Sequence, residues 1–388
     1  IGRNGDEAHG AVTVSNGGSL ELHGIDGAGI NVGRDGAFGE LTVDGGTVLI
    51  HSALDPALNI GRDSFSQGAV TVENGGHIEI VGSEAFLAVG RSGDSDTSQS
   101  SLDITTGSQV VLDGEDGDAI VSIGHEASGN GLLTVTGPDA VLSMAGRETQ
   151  IMVGNEGTGA LEILDGGLVE TLFVRVGRAA GSTGSLTLDG EGSELRLSGR
   201  FLEGDSAFLQ VGREGTGIME VSGGALVSID GDGGDYPGFS VGGRAGGVGT
   251  MVVTDTGSVV IISNGGAALG GGAGYITVGG GGTGTLSVAE GAQVVNAEGG
   301  YTFVGLEAGS VGVLTLQADL VANAHFDAGA VLAIGAGYDF DSGAFDFDNG
   351  GSGTVIVGSG TTLEAGAAEG DRSEERRVGK EGRSRWSP

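Results

Sequence analysis

The chain of 388 residues contains 85 Gly, only 4 Pro and no Cys, and it carries a formal net charge of −35 at pH 7. Without Cys it has no disulfide, no thiolate metal site and no cysteine nucleophile. Residues 1–371 hold 49 Asp and Glu against 11 Arg and no Lys, and this excess of acids argues against nucleic acid and anionic membranes as partners.

A short apolar-Gly-Arg motif, or a variant of it, recurs along the chain, and a Gly-rich turn and an alternating apolar segment follow it. The stretch from Gly2 to Gly305 spans ten intervals, so the mean period is about 30 residues. Such a period is typical of a solenoid, in which each unit stacks on its neighbour. We call these motifs anchors, and they are Ile1-Gly2-Arg3, Val32-Gly33-Arg34, Ile60-Gly61-Arg62, Val89-Gly90-Arg91, Ile123-Gly124-His125, Val153-Gly154-Asn155, Val176-Gly177-Arg178, Val211-Gly212-Arg213, Val241-Gly242-Gly243, Val278-Gly279-Gly280 and Val304-Gly305-Leu306.

Each repeat contains short segments in which apolar and polar residues alternate. In residues 32–61 these segments centre on Leu41/Val43, Val48/Ile50 and Leu58/Ile60, and Gly- and Asp-containing turns separate them. Alternation with a period of two over such short runs indicates β-strands, and no window has the periodicity of a helix.

The sequence therefore predicts an all-β fold, a right-handed parallel β-helix (β-solenoid) of about eleven coils, each of roughly 30 residues with three short strands. A β-propeller is less compatible, because its blades need about 40 to 50 residues and four strands. An antiparallel β-roll or a sandwich is the remaining alternative.

We expect three regions along the chain. Residues 1–317 form the β-helix repeats, and residues 318–371 form degenerate last coils or a cap, because no anchor is recognisable after Leu316. Residues 372–388 change abruptly in composition and contain the only Lys and the only Trp, so we interpret them as a disordered, non-native tail. Because the chain begins inside a repeat, we interpret it as a fragment of a longer protein.

The anchor arginines are expected to line up along one edge of the solenoid. In several repeats an acidic residue closely follows the anchor arginine, for example Asp35, Asp63 and Glu214. One hypothesis is a structural ladder of Arg-carboxylate pairs that stabilises the turns, and the other is a ladder that grips an anionic glycan. The residues of this ladder are Arg3, Arg34, Arg62, Arg91, Arg178 and Arg213, with Arg244 shifted by one position.

Clusters of Asp offer candidate calcium ligands, because Ca²⁺ binds six to eight oxygen atoms supplied by flexible loops. The segment from Ile229 to Asp235 alternates carboxylates with Gly, so we take Asp230, Asp232 and Asp235 as the calcium candidates. Solvated turns are the simpler interpretation, and a calcium-stabilised surface fibre is the alternative function if these residues do bind calcium. Similar clusters are Asp113/Asp116/Asp118 and Asp339/Asp341/Asp346/Asp348.

We expect no catalytic residues and no cofactor apart from calcium. The six His show no metal-ligand spacing, and the chain contains neither a Gly-x-Ser-x-Gly elbow nor a phosphate-binding Gly-Lys-Ser/Thr sequence. A glycan lyase or hydrolase on a β-helix remains the enzymatic alternative, since it would need only a convergent set of carboxylates.

The repeat resembles the strand-loop-strand repeats of autotransporter (type V secretion) passenger domains, a repeat type shared with PEP-CTERM-associated bacterial surface proteins. The resemblance lies in an anchor, a Gly-rich turn, Gly-x-Leu-Thr-Val, Gly-Gly and a further strand, as in residues 32–50, 60–80, 153–161 and 211–217. It implies a secreted or surface location on a Gram-negative bacterium and a longer protein with a C-terminal translocator or sorting domain. It also implies a non-enzymatic stalk that displays loops for adhesion to a host or neighbouring-cell protein or glycan, without membrane insertion by this segment.

Overall fold

The computed structural model is all-β in every part that it describes. The described residues are 1–5, 8–91, 99–199, 206–231, 236–263, 274–296, 300–317, 324–329, 331–339, 344–346 and 350–365. Within them the chain winds as a parallel β-solenoid, so the predicted fold class is confirmed, and the winding is consistent with the right-handed β-helix. These ranges contain no helix long and apolar enough to cross a membrane.

Equivalent strands of successive coils pair in parallel and form three stacks. Stack 1 is a sheet of twelve described strands. Its strands are His9–Ser15, Phe38–Asp44, Gln67–Glu73, Ser100–Ile104, Asn130–Thr136, Thr158–Leu164, Thr183–Asp189, Thr216–Ser222, Val248–Val253, Thr283–Val288, Val311–Leu316 and Ser352–Val357.

Stacks 2 and 3 are joined in the first coils, where the continuous strands Ser19–Arg34 and Thr47–Arg62 pass through both. Stack 2 continues with His77–Ser83, Gln109–Asp113, Val141–Ala145, Leu168–Thr171, Glu194–Ser198, Leu226–Asp230, Val259–Ser263, Gln293–Val295, His325–Asp327 and Thr362–Glu364. Stack 3 continues with Ala85–Val89, Ala119–Ile123, Thr149–Val153, Phe173–Val176, Phe208–Val211, Gly238–Val241, Tyr275–Val278, Tyr301–Val304 and Val331–Ile334.

The core consists of apolar ladders that run along the axis of the solenoid. In stack 1, the register aligns Leu41 with Val70 and Val43 with Val72, and all four side chains are buried. Because side chains alternate across a strand, the residues between them face outward, which explains the alternating burial. Most of the buried apolar residues form one cluster from Val14 to Ala328, to which successive coils contribute, and Phe303, Leu306, Ala333 and Ala336 form a second, smaller cluster.

The anchor glycines recur because only Gly fits the corner between stack 3 and the next strand of stack 1. Gly33 has a φ of +74°, a region that favours Gly. A Cβ atom at Gly33 would lie 1.9 Å from the carbonyl oxygen of Gln67 in the next coil. The other anchors have the same conformation, for example Gly177, with a φ of +67°, and most of them have the same close approach to backbone, whereas the Cβ of Gly61 would meet the Ser100 side chain.

One further anchor lies beyond the point where the sequence predicted the last one. Ile334-Gly335-Ala336 follows the stack 3 strand Val331–Ile334, and Gly335 has a φ of +65° and donates its amide to the carbonyl of Val304 at 2.8 Å. Gly335 lies 30 residues after Gly305, at the mean period, but the pattern missed this anchor because Ala336 stands where the earlier anchors have Arg.

The described residues beyond 317 continue all three stacks, through Thr362–Glu364 in stack 2. Gly337–Asp339 and Ala344–Asp346 form an antiparallel pair separate from the three stacks, and the Tyr338 ring packs against Tyr301 and Phe303 of stack 3. Residues 366–388, which include Trp386 and the predicted tail, lie outside the described residues.

Candidate functional site

The edge next to the anchors carries the arginine ladder, and its first coils form alternating ion pairs. Arg3 contacts Asp35 at 3.2 Å, and Arg34 contacts Asp35 at 3.6 Å and Asp63 at 3.0 Å. Arg62 lies 3.9 Å from Asp63. Each carboxylate thus lies between the guanidinium groups of two successive coils. These side chains are partly exposed, so each pair contributes at most about 1 kcal/mol.

Asparagine side chains on the outer face of stack 3 form a second row of contacts with the ladder. Asn31 accepts from Arg62 at 3.3 Å, and Asn59 accepts from Arg91 at 2.5 Å. This row is neutral, so it orients the guanidinium groups without compensating their charge.

The ion pairing of the ladder does not continue through the middle coils. Arg91 lies over the ring of Phe86 at 5.6 Å and has no ion pair with any described residue. Arg178 donates to Asn155 at 3.0 Å and likewise has no carboxylate within ion-pair distance in the described part of the chain. The predicted ladder residues therefore share one edge but have different electrostatic environments.

His125 occupies the ladder position between Arg91 and Asn155. Its Nδ1 lies 2.8 Å from the Ser122 hydroxyl, and its ring packs edge-on against Phe86 at 5.2 Å. Desolvation, and to a smaller extent the charge of Arg91, lowers the pKa of His125. The folded protein thus favours the neutral imidazole at this position.

A second group of arginines extends from the ladder onto the outer face of stack 3. Arg175 precedes Arg178 by three residues, lies 5.3 Å from the ring centroid of Phe173 and donates to the Gln150 amide oxygen. Arg213, one coil later, contacts Glu214 at 3.1 Å. Arg244 follows in the next coil and contacts the same carboxylate at 3.2 Å.

Burial and mutual repulsion act on this group. Desolvation lowers the pKa of Arg175, and Arg213, Arg178 and Arg244 lower it further, while Glu148 opposes them. Desolvation followed by the charge of Arg244 lowers the pKa of Arg213. Arg175 and Arg213 still carry their charge at neutral pH, because Arg is effectively always protonated in proteins.

Beside Arg175 lies a polar atom without a hydrogen-bond partner. Gln210 is the register neighbour of Arg175 on the next strand of stack 3, and its Oε1 atom is buried and accepts no hydrogen bond from any described residue. Sequence analysis missed Arg175 and Gln210 because they lie within strands, outside the anchor motif. An outward-facing Arg in an alternating strand was the only available signal.

The calcium candidates are only partly described. Asp230 ends a stack 2 strand, whereas Asp232 and Asp235 lie outside the described residues. In the similar cluster, Asp113 accepts from the Glu115 amide at 2.8 Å and Asp118 contacts Arg147 at 3.2 Å, so both carboxylates have partners within the protein. Among the described residues, no group of three or more His, Asp or Glu side chains has an arrangement suited to a metal ion.

Comparison with known proteins identifies no family for this chain. No protein-family model matches it, and no curated protein sequence matches it. Among solved structures, one match is the crystal structure of a TibC-catalysed hyperglycosylated TibA fragment spanning residues 55–350. The match has 17% sequence identity and a TM-score of 0.32, and it covers 92% of this chain and all of the other. At this TM-score the similarity carries no inference about function.

Proposed function

We propose that this chain is a non-enzymatic, extracellular β-helical passenger or stalk segment of a bacterial surface or secreted protein. The observation that carries the proposal is the main apolar core, which continues from coil to coil between Val14 and Ala328. Such an array gains stability with each added coil, so it suits a long spacer that projects from a cell. The resemblance of its repeats to passenger-domain repeats supports the same role.

The way in which the repeats vary also supports this role. The interval between anchor glycines ranges from 23 residues, between Gly154 and Gly177, to 37 residues, between Gly242 and Gly279. The strands of these coils nevertheless keep their parallel register. Length differences of this size are expected in segments between the paired strands, which are free to vary and to contact other molecules.

Adhesion is the role that we propose for those loops, and the partner class is a protein or glycan on a host or neighbouring cell. The strong negative charge keeps a long β-rich chain soluble outside the cell. The full-length protein would add a C-terminal translocator or sorting domain, in keeping with the family that the repeats resemble.

Immunolabelling of the bacterium that encodes the protein tests this proposal. Antibodies raised against residues 1–365 should label intact cells or the culture medium, and protease added to intact cells should remove the cell-bound signal. A cytoplasmic protein serves as the control and should resist the protease. Labelling that appears only after permeabilisation would refute the extracellular role.

A further inference from the structure

The geometry points to a binding site for acidic polysaccharide on the outer face of stack 3, formed by Arg175, Arg178, Arg213 and Gln210. We call these four residues the guanidinium patch. The inference deepens the proposed adhesive role, on which it rests, by naming the ligand class and the residues that bind it.

The patch gathers positive charge that carboxylates compensate only in part. Residues 1–371 contain only 11 Arg, yet four of them lie together: Arg175 and Arg178 are three residues apart, the Arg213 amide donates to the Gly177 carbonyl at 3.1 Å, and the Arg244 amide donates to the Arg213 carbonyl at 2.9 Å. Glu148 opposes the repulsion at Arg175 but forms no ion pair with it within the described residues. Among the described residues only Glu214 forms an ion pair with this group, through Arg213 and Arg244. Within the described part of the chain, Arg175 and Arg178 donate only to neutral amide oxygens. An anion bound between them would relieve this repulsion.

Neighbouring side chains hold the guanidinium groups of the patch in place. The Phe173 ring, only 8% exposed, holds Arg175 by stacking, and Gln150 accepts from its Nη1 atom. The amide oxygen of Asn155 likewise accepts a hydrogen bond from the Nη1 atom of Arg178. Both side chains are therefore positioned before a ligand arrives, which reduces the entropy lost on binding. A planar guanidinium group held in this manner suits a carboxylate or sulfate, with which it forms paired hydrogen bonds.

The buried Oε1 atom of Gln210 accepts no hydrogen bond from any described residue. A buried acceptor without a donor is unfavourable, and Gln210 lies beside Arg175 in register, on the same outer face. A ligand that carries both an anionic group and a nearby hydroxyl would pair with the arginines and donate to Gln210. Sugars with carboxylate or sulfate groups combine these two features.

The surroundings of the patch favour a glycan over other polyanions. The stack 3 strand Phe208–Val211 is paired on both sides, with Phe173–Val176 and Gly238–Val241, so a peptide cannot add to it as a further strand. Nucleic acid carries one negative charge per about 1.7 Å of duplex, and this density is poorly matched to a few cations on a chain of charge −35. A polysaccharide with sparse charges and many hydroxyls suits the mixture of arginines and amides.

Titration calorimetry at low salt tests the inference directly. The probes are a galacturonic acid hexasaccharide, which carries carboxylates, a heparin-derived hexasaccharide, which carries sulfates, and neutral maltohexaose. Saturable binding of at least one acidic probe and none of maltohexaose is expected. The relative affinity of the two acidic probes distinguishes the carboxylate source from the sulfate source.

Substitutions assign the binding to the patch. The variant carrying Arg175→Gln and Arg178→Gln should bind the acidic probe about tenfold or more weakly. The control carrying Arg3→Gln and Arg34→Gln removes the same charge from ion-paired ladder positions, and it should bind within about twofold of the unmodified chain. Gln210→Met removes the unpaired acceptor, so it should weaken binding while leaving the melting temperature the same or higher.

Three results would overturn the inference. The first is that neither acidic hexasaccharide binds saturably. The second is that the Arg175/Arg178 variant and the control bind the acidic probe equally well. The third is that polyglutamate or single-stranded DNA binds at least as tightly as the acidic glycans. Calorimetry uses the purified chain and does not depend on where the protein resides. A failure here is therefore distinct from a failure of the extracellular role in the labelling experiment.

Discussion

The anchor glycines should be the positions at which the solenoid is least tolerant of a side chain. Gly177→Ala places a Cβ atom 2.3 Å from the carbonyl oxygen of Thr216 and 2.8 Å from the amide of Gly217, both in the backbone of the next coil. Gly181→Ala is the matched control in the same turn. Gly181 also has a positive φ, +85°, but no atom lies within 4 Å of the added Cβ.

The two substitutions separate backbone strain from the clash between coils. Both place Ala at a positive φ, which costs about 1–2 kcal/mol, and both reduce the entropy of the unfolded chain equally. Gly177→Ala adds an overpacking term of about 1–3 kcal/mol, because a backbone neighbour cannot rotate away as a side chain can. The expected losses of stability are thus about 2–5 kcal/mol for Gly177→Ala and about 1–2 kcal/mol for Gly181→Ala.

Chemical denaturation followed by circular dichroism measures the two losses, and hydrogen exchange localises them. The carbonyl of Gly177 accepts from the amides of Arg213 and Gly215 at 3.1 Å each. Those two amides should exchange faster in Gly177→Ala, while coils far from the substitution keep their protection, since stability in a repeat array is largely local. Equal destabilisation by both substitutions would refute the steric explanation of the anchor.

Three further predictions concern the core, pH and calcium. Phe239 is fully buried, so Phe239→Ala should lower the free energy of unfolding by about 3–5 kcal/mol, and a loss below 1 kcal/mol in denaturant titrations would contradict the packing. Desolvation, then the charge of Arg91, lowers the pKa of His125 in the folded protein. The neutral imidazole therefore stabilises the fold fully above the ordinary His pKa of about 6.5, and this stabilisation is lost as the pH falls through the lower pKa of the folded protein. His125→Gln should reduce this loss of stability in thermal melts recorded over the same pH range. An unchanged dependence of the melting temperature on pH would contradict the role of His125. If Asp230, Asp232 and Asp235 bind calcium, the melting temperature should rise with calcium but not with magnesium, and substitution of all three by Asn should abolish the rise. Equal melting temperatures with calcium and with magnesium would refute the site.

The alternation of apolar residues sufficed to predict the strands and the fold class. Leu41 and Val43 occupy the inward positions that the pattern assigns to them, because the pleat of a strand imposes a period of two on any sequence. The recurrence of Gly after an apolar residue likewise predicted the corners, since a positive φ beside another backbone admits little else. These are local constraints, so a single strand or turn expresses them completely.

The chemistry of the surface was decided by contacts between coils, which the pattern does not specify. Arg34 and Arg178 occupy equivalent anchor positions, yet Arg34 has two carboxylate neighbours and Arg178 has an amide. The unpaired oxygen of Gln210 beside Arg175 depends on the register between strands about 35 residues apart. Partners on such a face come from different coils, and loop lengths and stacking register together determine which side chains meet. The sequence by itself thus determined the solenoid, whereas only the tertiary structure decided which of its arginines pair with carboxylates and which pair with amides.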